Sequence, residues 1–312
     1  PTANRFRKKI FPLKSSRYHA FRMYGKLFSD DYFCSMKIIP FITETWRIDA
    51  GVAFGVIPRS IWSRFYNVGE DNLMPIVNRC LLVENADRLV LIETGFGNKR
   101  DSKYYQYKYI VEQTSLADSI RNAGYEPSAV TDVIFTHLHD DHCGGAVGRS
   151  QSGESEIVCP NAKHWVSRKQ WESAMRPNKR EAASYFADNI ELLFNAGLIQ
   201  LVDREEEIIP GISVLLRHGH TAGQMLPLIH TPGRKWLYTA DFIPSLTHIS
   251  PVWVASVDIM PILALEEKET FLHIAVEENI GLIFEHDYFN EAASVVQNIK
   301  GFEGIPEQLG RY

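Results

Sequence analysis

The stretch Thr136-His137-Leu138-His139-Asp140-Asp141-His142-Cys143-Gly144-Gly145 crowds three histidines and two aspartates into six positions. It follows the apolar run Val133-Ile134-Phe135, which predicts a buried strand. The polar cluster then falls where a strand gives way to a loop, so rigid backbone holds the side chains while the loop leaves them open to a substrate. Residues two apart in extended backbone point to the same side. His137 and His139 can therefore reach one metal ion together, while Asp141 and His142, aimed differently in the turn, could serve a second. Gly144-Gly145 predicts a sharp backbone turn. Three imidazoles this close repel one another when protonated, and a metal gives their packing a purpose that a solvated loop does not.

Three further strand ends carry metal-type residues. Val214-Leu215-Leu216 leads into Arg217-His218-Gly219-His220-Thr221, the run at 236–240 leads into Asp241, and the run at 282–285 leads into His286. Each repeats the first design, an apolar strand with a polar side chain at its end, and four such ends can converge on one rim. His164, His218, His230 and His273 fit structural or exposed positions.

The elements that must position these residues read as a mixed α/β chain. Strands are predicted at 36–42 and 46–49, with Pro40 marking an edge or a break. A hairpin is predicted from 79–84 and 88–93 around Asn85-Ala86-Asp87. Between them, residues 51–58 and 61–66 form a glycine-rich, aromatic loop in which Phe54 and Trp62 could wall a pocket and receive an acyl chain, or which could pack as an edge loop. Ser115 and Gly124 bracket a helix. A strand at 163–166 leads into a helix whose capping box is Ser167 and Gln170. A second helical run spans 180–196, with Tyr185, Phe186, Ile190, Leu193 and Phe194 on one face. Together these helices could cap the site or simply pack on the sheet. Strands at 212–216, 225–230 and 235–239, a helix at 265–278, a strand at 280–284 and a helix at 292–299 complete the reading. Residues 1–35, basic and aromatic, form an N-terminal arm on an otherwise single domain spanning 1–312. The arm could pack on its own domain, over the site or on a second subunit of a homodimer.

The 312 residues are 45% hydrophobic and 23% charged, with a formal net charge of -5. That composition is ordinary for a globular protein that buries a core without staples. No long basic run exists beyond Arg5-Phe6-Arg7-Lys8-Lys9, which argues against nucleic acid as a partner. No apolar stretch reaches membrane-spanning length. Four cysteines at 34, 80, 143 and 159 form no C-x-x-C pair, which fits a reduced, cytoplasmic setting without a cysteine-based metal site. No signal-peptide core is present, yet the chain starts at Pro1 without Met, which leaves export open.

The pattern His-x-His-x-Asp-His resembles the signature of the metallo-β-lactamase superfamily. Gly219-His220-Thr221, Ala240-Asp241 and Glu285-His286 follow in the order that family's hydrolases use, so the resemblance covers about 38–286. It implies an αββα sandwich with the site along one edge of two mixed sheets. It further implies one ion held by His137, His139 and His220, a second held by Asp141, His142 and His286, and Asp241 bridging them. Nitrogen and carboxylate donors fit zinc, with iron, manganese or cobalt also compatible. Asp49-Ala50-Gly51 with Phe54-Gly55 and Pro58, and the strand Asn78-Arg79-Cys80-Leu81-Leu82-Val83-Glu84, look like the branch holding N-acyl homoserine lactonases and methyl parathion hydrolase. Glu93 and Gln224 depart from the family pattern, at positions where aspartate and histidine are common.

Two ions ~3.5–4 Å apart share a water and lower its pKa toward ~7, and the resulting hydroxide attacks a carbonyl or phosphoryl centre. Asp141 could orient that hydroxide or pass a proton to the leaving group. His248 is a candidate substrate contact. The expected activity is opening of a lactone or ester, with acyl homoserine lactones as one case and quorum quenching as the consequence. The rivals are a phosphotriesterase or arylesterase using the same ions, and a metal-bearing binding or regulatory protein with little turnover.

Overall fold

The computed structural model describes residues 36–309 except 86 and 151, so the N-terminal arm and Cys34 lie outside the described residues. The strands are β1 (Lys37–Asp49), β2 (Leu73–Asn85), β3 (Arg88–Ile92), β4 (Glu112–Gln113), β5 (Asp132–Ile134), β6 (Val147–Arg149), β7 (Ser155–Ile157) and β8 (Lys163–Ser167). They continue with β9 (Ile199–Val202), β10 (Glu207–Ile209), β11 (Ile212–Arg217), β12 (Gln224–Thr231), β13 (Arg234–Tyr238), β14 (Gly281–Ile283), β15 (Ala292–Asn298) and β16 (Gly301–Glu307). The helices are α1 (Ala50–Phe54), α2 (Arg59–Trp62), α3 (Ser102–Tyr107), α4 (Leu116–Asn122), α5 (Asp140–Cys143), α6 (Arg168–Met175), α7 (Glu191–Asn195) and α8 (Pro261–Glu277).

Two seven-stranded sheets form, in the orders β4-β1-β2-β3-β5-β8-β9 and β10-β11-β12-β13-β14-β15-β16. Both are mixed: β3, β5, β8 and β9 run parallel in the first, and β13 with β14 in the second. The period-two alternation of β2 and β3 explains why they stack. Leu81, Val83, Val90 and Ile92 face inward and join Val214, Leu226, Trp236 and Leu282 of the other sheet in one core. Cys80, Leu82, Leu89 and Leu91 face outward beneath Leu116 and Ile120 of α4. Phe271, Leu272 and Ala275 bring α8 onto the second sheet. This is the αββα sandwich that the resemblance implies.

Strand β1 is continuous through Pro40, with a register shift between Ile42 and Glu44 rather than a break. Its short neighbour β4 pairs only Glu44 and Thr45, so Pro40 sits on an open edge where its missing N–H costs nothing. The predicted caps form: Ser115 accepts from the N–H of Asp118, and Ser167 from that of Gln170. Two helix predictions are corrected. Residues 292–299 form β15, paired along its length with β16, so tertiary pairing overrides local propensity. Residues 180–196 are broken into turns, a 3-10 turn at Ala187–Asn189 and the short α7.

Glu44 yields a pH prediction. It is buried against Thr43, Asn78 and Gln113, which donate to it, yet burial pushes its pKa up from 4.5 to about 7. Between those values the folded chain holds a proton that the unfolded chain has released, so stability falls as pH rises from about 4.5 to about 7, by up to about 3 kcal/mol. Urea unfolding of wild type and Glu44→Gln at the two ends of that window checks this; an equal slope in both proteins would count against it.

Candidate metal centre

The four strand ends converge as the sequence implies. β5 delivers His137 and His139, and α5 carries Asp141 and His142. β11 leads to His220, β13 to Asp241 in the 3-10 turn Ala240–Phe242, and β14 to His286. Ligand atoms of His137, His139, His220 and Asp241 lie within 4.8 Å of one another, as do those of Asp141, His142 and His286.

Asp241 sits between the two groups. Its Oδ2 lies 3.0 Å from His220 Nε2, 3.7 Å from His137 Nε2 and 3.6 Å from His142 Nε2, while Oδ1 lies 2.8 Å from His286 Nε2. His139 reaches in through Nδ1, 3.3 Å from His220 Nε2. Asp141 lies 3.7 Å from His142 Nε2 and 3.9 Å from His286 Nε2. Donors around a four-coordinate ion with bonds of ~2.1 Å would lie ~3.4 Å apart, so residues this close could hold a divalent cation in each group. The inward Nε2 atoms of His137 and His142 are buried without a hydrogen-bond partner, a costly state that a bound cation relieves.

Three of the five histidines hydrogen-bond through their outward nitrogen, and those of His139 and His142 each face a carboxylate. His137 Nδ1 lies 2.9 Å from Thr136 Oγ1, and His286 Nδ1 donates to Val77 O at 2.9 Å. His220 Nδ1 lies 2.8 Å from Asp258, His142 Nδ1 lies 3.1 Å from Glu285, and His139 Nε2 lies 3.5 Å from Glu181. Such outer partners fix the tautomer and aim the other nitrogen inward. Sequence reasoning missed Asp258, Glu181 and Glu285 in these roles. Only Glu285, beside His286, carried a local signal.

Electrostatics follow from burial and these partners. Burial and the neighbouring histidines hold His137 well below its usual pKa, leaving it neutral with a free lone pair. Burial would also lower His220 and His286, but Asp241 outweighs it and raises them to about 10 and about 9. Burial opposes ionisation of Asp241, yet His220, His286 and His142 hold it well below the carboxylate range. Glu93 does not replace a ligand. It accepts from the N–H of Thr136 at 2.6 Å and so anchors the strand end that carries His137, from a left-handed backbone (φ 64). Gln224, the other departure, is buried at the start of β12.

A family model for the metallo-beta-lactamase superfamily matches residues 74–272. The chain belongs to that superfamily. The match encloses every member of the two ligand groups except His286, which the fold brings in. An N-acyl homoserine lactonase of Bacillus cereus is 22% identical over 171 residues, 51% of this chain and 61% of that protein. The chain thus spans about three fifths of that relative's length. One from Bacillus thuringiensis is 23% identical over 224 residues, 68% of this chain and 82% of its own. Among solved structures, a probable metal-dependent hydrolase from Staphylococcus aureus has a TM-score of 0.79 at 26% identity, covering 88% of this chain and 98% of that one. AidC, a dizinc quorum-quenching lactonase in complex with a product, has a TM-score of 0.70 at 22% identity, covering 88% and 96%.

The superfamily centre opens into a cavity of about 580 Å³ whose walls include Trp46, Ile48, Met74, Ile76 and Val257. Phe54 and Trp62, expected as pocket walls, lie behind it instead. They stack on each other with centroids 5.3 Å apart, buried with Tyr66 and Phe96, and Val52 and Ala53 of the same helix line the cavity in their place. His248 does line it, but its Nδ1 engages Ser245 at 2.7 Å and its Nε2 the carbonyl of Ala53 at 2.9 Å, while its ring stacks on Phe54. Both nitrogens are thus committed to the wall. His164 and His230 sit away from the cavity, where burial lowers each to about 4, and His218 accepts from the N–H of Gly223. Among the described residues, no helix is long and apolar enough to cross a membrane.

Replacing Asp258 by Asn should weaken metal affinity about 10–100-fold, because the amide no longer fixes the Nδ1–H tautomer of His220. Competition with a chromophoric chelator measures this. Unchanged affinity would show that Asp258 does not orient the ligand.

Proposed function

We propose that the chain is a dinuclear metal-dependent hydrolase that opens lactones or related esters. The observation that carries this reading is Asp241, a single carboxylate reaching both histidine groups at the floor of a cavity of substrate size. His137, His139 and His220 would hold one ion, Asp141, His142 and His286 the other, and Asp241 both. Two divalent cations, zinc first among them, supply Lewis acidity and an acidified water when bound. The chain's own residues do the rest. Hydrogen bonds to Thr136, Asp258 and the carbonyl of Val77 hold His137, His220 and His286 before substrate arrives, which limits reorganisation at the moment of reaction. Asp141, facing the cavity, is placed to hold the proton released from the attacking water and return it to the leaving oxygen. The apolar walls exclude water from the scissile group.

The lactone preference draws on the lactonase relatives and an acyl homoserine lactone is one candidate substrate. Elemental analysis of chelator-free protein should give two ions per chain, and the metal-loaded protein should open lactones faster than it cleaves β-lactams or phosphotriesters. A reproducible single ion under metal-replete conditions would sink the dinuclear reading. Efficient β-lactam loss without lactone opening would reverse the substrate ranking.

A further inference from the structure

The cavity carries charge that the proposed chemistry does not use. Its carboxylates are all engaged. Asp49 accepts from the N–H of Gly51 at 2.7 Å and from Asn72 at 3.1 Å. Asp140 accepts from the hydroxyl of Tyr104 at 2.5 Å and pairs with Lys108 at 2.8 Å. Glu181 accepts from the hydroxyls of Thr221 at 2.5 Å and Tyr185 at 3.2 Å, and Asp141 and Asp241 face the histidines. Two guanidiniums on the same cavity are not engaged in this way. Arg47 projects from β1 and Arg180 from the segment that follows α6, and both are exposed on the lining. Arg180 donates to the carbonyl of Ser256, and among the described residues neither arginine has a carboxylate within ion-pair distance.

We propose that Arg47 and Arg180 select substrates that carry an anionic group, a carboxylate or a phosphate, remote from the bond being cut. The guanidinium fork matches either oxyanion in two-point geometry. Two unpaired cations in a concave, partly apolar site also raise the local concentration of anions. Ile48, Met74, Ile76 and Val257 offer apolar contact to the carbon chain linking the anion to the reacting centre. The identity of the reaction rests on the hydrolase reading above; the capture of the anion does not.

The test uses the full, metal-loaded chain and three matched 4-nitrophenyl esters: the neutral butyrate, the glutarate monoester, and an analogue ending in a phosphonate. Water adds to the carbonyl, the ester C–O bond breaks and nitrophenolate leaves in each case, so only the distal group differs. At least one anionic ester should exceed the neutral one in kcat/KM by roughly tenfold, mostly through KM. The preference should shrink in high salt and fall severalfold in Arg47→Ala and in Arg180→Ala, with Arg180→Lys recovering part of it. Which anionic arm leads identifies the oxyanion. A ratio near one in wild type, or an unchanged ratio in both alanine variants, overturns the proposal. If no ester is cleaved, lactone opening tests the hydrolase reading separately, and calorimetric titration of glutarate and of inorganic phosphate still decides the arginines. Binding that weakens about tenfold in Arg47→Ala supports them; equal binding in both proteins, or none in wild type, overturns them.

Discussion

Asp241→Ala should lose turnover by at least about 10²–10³ while keeping its fold. Each removed contact in a preorganised charge-stabilising site typically costs that much, and this carboxylate faces both ligand groups at once, His220 at 3.0 Å through one oxygen and His286 at 2.8 Å through the other. Its placement is itself costly. Ala240, just before it, holds a left-handed backbone (φ 41), a conformation that a non-glycine residue adopts only where its surroundings impose it. The fold should survive because the sandwich core, from Ile38 and Leu81 to Trp236 and Leu282, closes without any ligand side chain. Turnover, metal content and circular dichroism belong on the same sample. A folded variant with near-wild-type turnover would mean that Asp241 is not shared between two ions.

Much of this centre was legible because its design is local. An apolar strand followed by a polar end residue can be read one segment at a time, and β5, β11, β13 and β14 each announce their candidate ligand that way. The hairpin β2-β3 was legible for the same reason, since alternation and turn residues are neighbours in sequence. What escaped depends on distant partners. The apolar face of 180–196 suits a helix, but Tyr185 and Glu181 bond to Thr221, and Glu181 reaches His139, so the backbone turns to serve the site. β15 looks helical until β16 pairs with it, and β16 contains Gly304 and Pro306, which no propensity scale would nominate. Gly304 is tolerated because a Cβ there would meet Ile249 and Leu246 at 2.3 and 2.5 Å. Phe54 and Trp62, expected to wall the pocket, do not line it, and only their stacking partners reveal that they brace the wall rather than form it. Apart from Thr136, next to His137, the partners of the histidines, Asp258 above all, lie tens of residues away with no spacing rule to connect them.

Gly145→Ala should unfold the protein more easily and also disable the centre. The sequence suggests that Gly144-Gly145 exists for a sharp turn, but neither glycine has positive φ, and Gly144 is helical at φ -61 and ψ -34. Space is what demands them. A Cβ on Gly145 would lie 2.1 Å from the carbonyl oxygen of Thr94, and one on Gly144 would lie 2.3 Å from that of Phe96. Both obstacles are backbone, so no side chain can swing aside. The two segments are also tied together: Gly145 N–H donates to Gly95 O, while the N–H and hydroxyl of Thr94 both donate to His142 O, each at 2.9 Å. Restoring an ordinary contact of about 3.4 Å would move Thr94 or Gly145 by about 1 Å, and His142 with it. Overpacking of this kind costs about 3 kcal/mol at the upper end of its usual range, and a 1 Å misplacement of a catalytic group can cost about 10²-fold in rate. Urea midpoints should therefore fall together with turnover, and turnover should stay low in the fraction that remains folded and metal-loaded. Full activity per folded molecule would show that the loop absorbs the methyl group without moving His142, and that the clamp between Thr94 and His142 has no part in aiming the ligand.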